Sequence, residues 1–124
     1  MRTAAQRAGD EAEALVAAYL VRQGWHMLGS HLRVGRAEID LLGVDPRSPP
    51  TLVVIEVRWR SRRDFGLPEE TIDWRKRARL HRAGFALRGV GSLPDGTKLP
   101  GLPFRFDLVV VEPGDCLRHH RHGA

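Results

Sequence analysis

Apolar positions recur at helical spacing near the start of the chain. Ala8, Ala12, Leu15 and Tyr19 form one stripe, and Gly9, Glu13, Val16 and Leu20 form the stripe beside it. This spacing predicts a helix over 4–23, with Gly24 as its stop. Residues 26–34, 36–44 and 51–60 read as three strands. The polar, proline-rich Asp45-Pro-Arg-Ser-Pro-Pro50 serves as the connection between the last two. Thr51-Leu-Val-Val-Ile-Glu-Val57 is dense in β-branched residues and apolar at successive positions, the pattern of a strand buried on both faces. Phe65-Gly-Leu-Pro68 is a turn. Pro68 opens a second helix, with Glu69 and Glu70 in its first turn, that runs to about Arg88 and ends at Gly89 and Gly91. Its inward stripe is Ile72, Lys76, Leu80, Ala83 and Leu87. Residues 92–103, with three prolines and two glycines, form a surface loop, and 104–111 a last strand. The order helix, three strands, helix, strand predicts an α/β fold, a mixed sheet flanked by helices. A single domain over 1–124 is expected, with 116–124 a flexible tail.

Composition narrows the picture. The 124 residues are 42% hydrophobic, ordinary for one globular core. Cys116 has no second cysteine to pair with, Met1-Arg-Thr-Ala-Ala-Gln-Arg7 contains no apolar signal core, and no apolar run is long enough to span a membrane. A cytoplasmic protein with no membrane partner is the expectation. The net charge of +5 is unevenly spread. Between Arg58 and Arg82 lie nine basic residues (Arg58, Arg60, Arg62, Arg63, Arg75, Lys76, Arg77, Arg79 and Arg82) against four acids. Such a local excess suits a phosphate-bearing partner, nucleic acid above all. A solvated basic surface is the plainer account.

Side chains alternate along strands, so Glu38, Asp40, Leu42 and Val44 share one face, and Leu52, Val54, Glu56, Arg58 and Arg60 share another. If Val44 lies opposite Leu52 across the hairpin, an assumed register, Asp40 falls opposite Glu56 and Glu38 opposite Arg58. Two neighbouring carboxylates on central strands lose hydration and repel each other. A divalent cation such as Mg²⁺ (or Mn²⁺) relieves both penalties and can also activate water against a phosphodiester. Glu13, on the stripe flanking the first helix's apolar face, is in a position to reach the same site. A second account fits the pattern as well: Glu38 pairs with Arg58, Glu56 pairs with Arg60, and Asp40 lies near an edge.

Ala37-Glu-Ile-Asp-Leu-Leu42 followed by Val54-Ile-Glu-Val-Arg58 resembles the PD-(D/E)XK nuclease core. More closely, the chain resembles uncharacterised protein family 0102, the YraN-like predicted endonucleases related to archaeal Holliday-junction resolvases. Gly9-Asp10 with Glu13, Tyr19-Leu20, Phe65-Gly66, Pro68, Lys76 and Arg105-Phe-Asp107 complete the match, which covers nearly all of 9–111. The resemblance implies a restriction-endonuclease-like fold acting on DNA, including branched DNA, with homodimers by analogy. It implies Asp40 and Glu56 as metal ligands, the Val57 carbonyl as a third, and Glu13 as the helix-borne acid. The family's usual lysine at the end of the core motif is Arg58 here, and its usual glycine before Glu38 is Ala37. Arginine keeps its charge, so Arg58 is expected to clamp phosphate or stabilise transition-state charge, not to act as a base. The alternative function is non-catalytic nucleic-acid binding on the same fold.

Arg75, Arg79 and Arg82 recur at helical spacing as backbone contacts to nucleic acid, joined by Arg60. Lys76 either snorkels over apolar neighbours or meets a phosphate. Trp59, on the face opposite Glu56, is expected in the core. Arg105 and Asp107 share a face and are expected to form an internal ion pair. His119, His120 and His122 are expected to belong to the disordered tail.

Overall fold

The computed structural model describes residues 2–47, 49–60 and 74–124. Helix α1 (Ala4–Arg22) is followed by strands β1 (His26–Val34), β2 (Ala37–Asp45) and β3 (Thr51–Trp59), then helix α2 (Trp74–Val90), β4 (Phe104–Glu112) and β5 (Cys116–His120). The expected turn at Phe65–Pro68, the helix start at Pro68 and the inward Ile72 all lie outside the described residues.

Helix α1 begins at a capping box. The Thr3 hydroxyl accepts the Gln6 N–H at 3.1 Å and the Gln6 side chain accepts the Thr3 N–H at 2.8 Å. Two N–H groups that the first turn leaves without helical partners are thereby satisfied. Gly24 ends the helix with φ at +91°, in the left-handed region that other residues enter only with strain.

The five strands form one sheet in the order β1-β2-β3-β4-β5. Only β3 and β4 run parallel, joined by the crossover that contains α2; the other neighbours are antiparallel. The helices cover opposite faces. Leu52, Val54, Phe106, Leu108 and Val110 pack with Leu80, Ala83 and Leu87 of α2. Val53, Ile55, Val109 and Val111 pack with Ala12, Val16 and Leu20 of α1. Each central strand therefore alternates between two apolar layers, which explains its unbroken run of apolar residues. Helix α2 comes so close to β4 that a Cβ on Gly84 would stand 2.7 Å from the Phe106 ring.

Two expectations fail. Residues 116–120 are not a frayed tail: β5 pairs antiparallel with β4, from Glu112↔Cys116 to Leu108↔His120, and Ala124 is buried against the α2-side core. An edge strand beside β4 satisfies β4's outer row of backbone groups. Trp59 is not core either. It is 45% exposed, because it is the last residue of β3, beyond the α1-side cluster.

The far end of the sheet is closed by a buried polar network. Arg105 contacts Asp107 Oδ1 through Nε at 2.8 Å and Asp45 Oδ2 through Nη2 at 2.8 Å, and His119 Nε2 lies 2.8 Å from Asp107 Oδ2. The His122 N–H donates to Asp107 Oδ1 at 3.1 Å. The expected Arg105–Asp107 pair is present, and residues assigned to a tail complete it.

Candidate metal and nucleic-acid site

Strands β2 and β3 pair from Asp45↔Thr51 to Leu41↔Ile55, with Val44 opposite Leu52, and the ladder ends there. At the same point β2 changes phase. Leu42 joins the α2-side cluster and Leu41 the α1-side cluster, yet Ile39, which strict alternation would place with Leu41, packs on the α2 side. The slip falls on Asp40. Its carboxylate turns into the widening gap, where Oδ2 accepts the Val57 N–H at 2.9 Å. Asp40 and Glu56 are brought together, but not as a cross-strand pair on one flat face: Asp40 lies between the layers and Glu56 faces α2.

Glu56 has a side chain only 7% exposed, and its Oε1 is approached by Lys76 Nζ at 2.8 Å and by Arg58 Nε at 3.5 Å. The neighbour of Glu56 on its own strand is thus Arg58, two residues on, and Lys76 enters from the first turn of α2. A cleft of about 270 Å³ opens here, lined by the acids Glu38, Asp40 and Glu56 and by the cations Arg36, Lys76 and Arg79. Of the two cations on Glu56, Lys76 is the nearer.

On the α1 side the cleft continues as a wider trough containing Asp10, Glu13, His31 and Glu38, again with Asp40. Buried positions on α1 are drawn from both predicted stripes, Ala12 from one and Val16 and Leu20 from the other. The inward face therefore lies between the stripes and carries Glu13, 14% exposed, toward the site. The expected Glu38–Arg58 pairing is replaced by a contact across β1: His31 Nδ1 lies 3.1 Å from Glu38 Oε1, and His31 Nε2 lies 2.6 Å from Glu13 Oε2. His31 was not among the predicted site residues. In β1, Leu28, Leu32 and Val34 pack on the α2 side and Met27 on the α1 side, so alternation alone places His31 on the face of Glu13. Its φ of +51° adds a kink across from the Asp40 slip, between the pairs Ser30↔Leu41 and Leu32↔Ile39.

The remaining predicted contacts divide. Arg79 lines the cleft, whereas Arg75 and Arg82 are exposed outside its lining. Arg75 stacks its guanidinium over the exposed Trp74 ring at 5.3 Å. The Arg60 N–H donates to the Val111 carbonyl at 3.0 Å, extending the β3–β4 edge by one bond.

Electrostatics follow from this crowding of acids. Burial, reinforced by the charge of Glu56, pushes the Asp40 carboxyl up from 3.8 to about 8, although the Val57 N–H pulls the other way. Burial also raises Glu13; His31 opposes this, while Asp10, Glu38 and Glu56 add to it. For His31, burial works against the charged ring, but the hydrogen bond to Glu38 and the charge of Glu13 prevail and raise it. Without a bound cation the cleft therefore favours the neutral form of Asp40, while Lys76 and Arg58 approach Glu56 and His31 approaches Glu13 and Glu38. Glu13 Oε2 is buried and makes no hydrogen bond of good geometry. An oxygen-rich set of this kind suits a hard divalent cation such as Mg²⁺ or Mn²⁺, with Asp40, Glu56 and the Val57 carbonyl as candidate donors. Among the described residues, the tightest group of three donor side chains lies beside them: Asp10, Glu13 and His31, with ligand atoms all within 4.8 Å of one another. His31 is held there as an ion-pair partner and would have to give up a proton to ligate.

These features define a class: a mixed α/β sheet protein whose sheet opens at one end into an acidic, cation-walled cleft. The chain belongs to uncharacterised protein family UPF0102, whose model matches residues 12–111. A UPF0102 protein of Pseudomonas savastanoi pv. phaseolicola is 35% identical over 117 residues, covering 93% of this chain and 89% of its own length. One from Roseiflexus castenholzii is 36% identical over 108 residues, 87% and 81% of the two chains. One from Moorella thermoacetica is 38% identical over 107 residues, 86% and 81%. The matched span includes Glu13, Asp40, Glu56, Arg58 and Lys76. Among the described residues, no helix is long and apolar enough to cross a membrane.

Proposed function

We propose that this protein is a metal-dependent endonuclease that hydrolyses phosphodiester bonds in DNA. The observation that carries the reading is the convergence of Asp40 and Glu56 where β2 leaves β3, in a cleft also lined by Arg36, Lys76 and Arg79. Carboxylates and cations lining one cleft match the two halves of the task. The acids hold a cation, and the basic wall holds the phosphate backbone. A Mg²⁺ or Mn²⁺ ion bound by Asp40, Glu56 and the Val57 carbonyl would supply Lewis acidity toward phosphate and toward the attacking water. Glu13 lines the same trough as Asp40, where it can orient water. Arg58, with its fixed charge, is suited to stabilise negative charge developing on the phosphate. Branched DNA and a homodimeric enzyme are the finer parts of this reading, by analogy with resolvases.

Arg58 in place of lysine favours a second reading, a nucleic-acid-binding protein without hydrolysis. One experiment separates the two. Linear, nicked and branched DNA are incubated with wild type and with the Asp40→Asn/Glu56→Gln double variant, in Mg²⁺, in Mn²⁺ and in chelator. Cleavage by wild type alone, dependent on the cation, is the expected outcome. DNA binding without cleavage under every condition would establish the second reading, and cleavage that survives in the double variant would move the site elsewhere.

A further inference from the structure

Glu56 is the most enclosed acid of the cleft, and two cations crowd one of its oxygens. They are held differently. Arg58 projects from β3 itself, and its nearest approach is Nε at 3.5 Å. Lys76 reaches across from α2 with its Nζ at 2.8 Å, on a side chain that remains 45% exposed. It carries a compact charge on a flexible four-carbon stem, so it can leave Glu56 without disturbing either element. The space it can move into is the cleft it already lines, beside Arg79 and Arg36. A divalent cation seated on Glu56 would stand at the position of the ammonium, and two like charges cannot share it.

We propose that Lys76 is a movable counter-ion: it neutralises Glu56 while the cleft holds no cation, yields that carboxylate to a divalent cation, and then turns its ammonium toward a phosphate in the cleft. The inference rests on the reading of Asp40 and Glu56 as cation ligands. It makes Lys76 a positioning residue that links two binding events. The cation frees the ammonium, and the phosphate receives it, so each ligand strengthens the other. Because the coupling is thermodynamic, it is reciprocal: DNA must tighten cation binding by the factor by which the cation tightens DNA binding.

The test measures Mn²⁺ binding by calorimetry, alone and with a short phosphorothioate DNA duplex. The proteins are wild type, Lys76→Met, Lys76→Arg and the Asp40→Asn/Glu56→Gln pair. Without DNA, Lys76→Met is expected to bind Mn²⁺ about fivefold tighter than wild type, the scale of losing one half-exposed ion-pair competitor. The duplex should tighten Mn²⁺ binding to wild type, and Lys76→Met should lose most of that coupling. Lys76→Arg, which keeps the charge, should retain part of it. A purely structural Lys76–Glu56 pair would change the first quantity but leave the coupling intact, and that result overturns the proposal. Equal or weaker Mn²⁺ binding by Lys76→Met overturns it too. If the double variant binds Mn²⁺ as wild type does, the assignment of the ligands falls and this inference falls with it. If the double variant loses Mn²⁺ while Lys76→Met behaves as wild type, only the counter-ion role is lost. Circular dichroism melts establish that each variant is folded.

Discussion

The Asp40 carboxylate accepts the backbone N–H of Val57 at 2.9 Å, across the gap where β2 stops pairing with β3. A side chain there occupies the place of a missing strand partner. It satisfies the Val57 donor, which burial would otherwise leave costly. The same bond directs the carboxylate to the junction of the α1-side trough and the α2-side cleft.

Asp40 should make the metal-free protein less stable as pH rises. Its folded pKa is about 8 against 3.8 in the ordinary state, so the folded chain keeps a proton that the unfolded chain releases. The stability associated with that proton is complete below about pH 4 and is lost progressively up to about pH 8. In chelator, Asp40→Asn should flatten the dependence and raise the melting temperature near pH 8. It can do so because an amide oxygen can still accept the Val57 N–H. Thermal melts across this range check it, and parallel curves for wild type and variant would refute it.

Asp107 acts in the opposite direction. Burial would raise it, but His119, Arg105 and the His122 N–H together hold it below the usual carboxylate range. A depressed group stabilises the fold above its ordinary pKa and loses that contribution as pH falls, here below about pH 5. Asp107→Ala leaves Arg105, 11% exposed, with Asp45 as its remaining carboxylate and removes the partner of His119, and should cost about 2 kcal/mol at neutral pH. Urea unfolding at neutral and acid pH measures both effects; a variant that loses equally at each would contradict the linkage.

Gly84→Ala tests the closeness of α2 and β4. Alanine gains about 1 kcal/mol in helix propensity. Its Cβ, however, would stand 2.7 Å from Phe106 Cε1 and 2.8 Å from Cζ, which forces the ring or the helix to shift. Overpacking of this kind costs about 1–3 kcal/mol. A net loss of roughly 1 kcal/mol, seen as a melting temperature lower by about 4 °C, is expected. A stabilised variant would mean that the helix and sheet stand further apart.

Arg79 lines the cleft, whereas Arg75 and Arg82 are exposed outside its lining. If the backbone of DNA crosses the cleft, Arg79→Ala alone should reduce the slope of log affinity against log salt by about 0.9 for duplex DNA. Arg75→Ala with Arg82→Ala should add to this only if the duplex extends along α2. Affinity titrations at several salt concentrations, on unrelated sequences, decide it. A sequence-dependent loss would argue for base contacts in place of phosphate contacts.

The elements of this protein are largely written in its apolar periodicity. The stripes of α1, the unbroken apolar run of β3 and the spacing of Leu80, Ala83 and Leu87 each state a local preference that the fold keeps. The β2–β3 register, Val44 opposite Leu52, is the one assumed from the hairpin, but periodicity alone does not fix it, because both faces of these strands are apolar. Periodicity assumes a regular strand, however, and the site lies where β2 stops being regular. The phase slip at Asp40, the left-handed His31 across from it and the end of the ladder at Leu41↔Ile55 arise from how three strands and two helices accommodate one another. So do the pairings of Glu38 with His31 and of Lys76 with Glu56, which join residues on separate elements. The segment from Cys116 onward departs from its sequence pattern for the same reason. Its histidines carry little strand signal, and β5 is held by what only the folded chain provides: the open edge of β4, and a buried Asp107 and Arg105 that His119 and the His122 backbone complete.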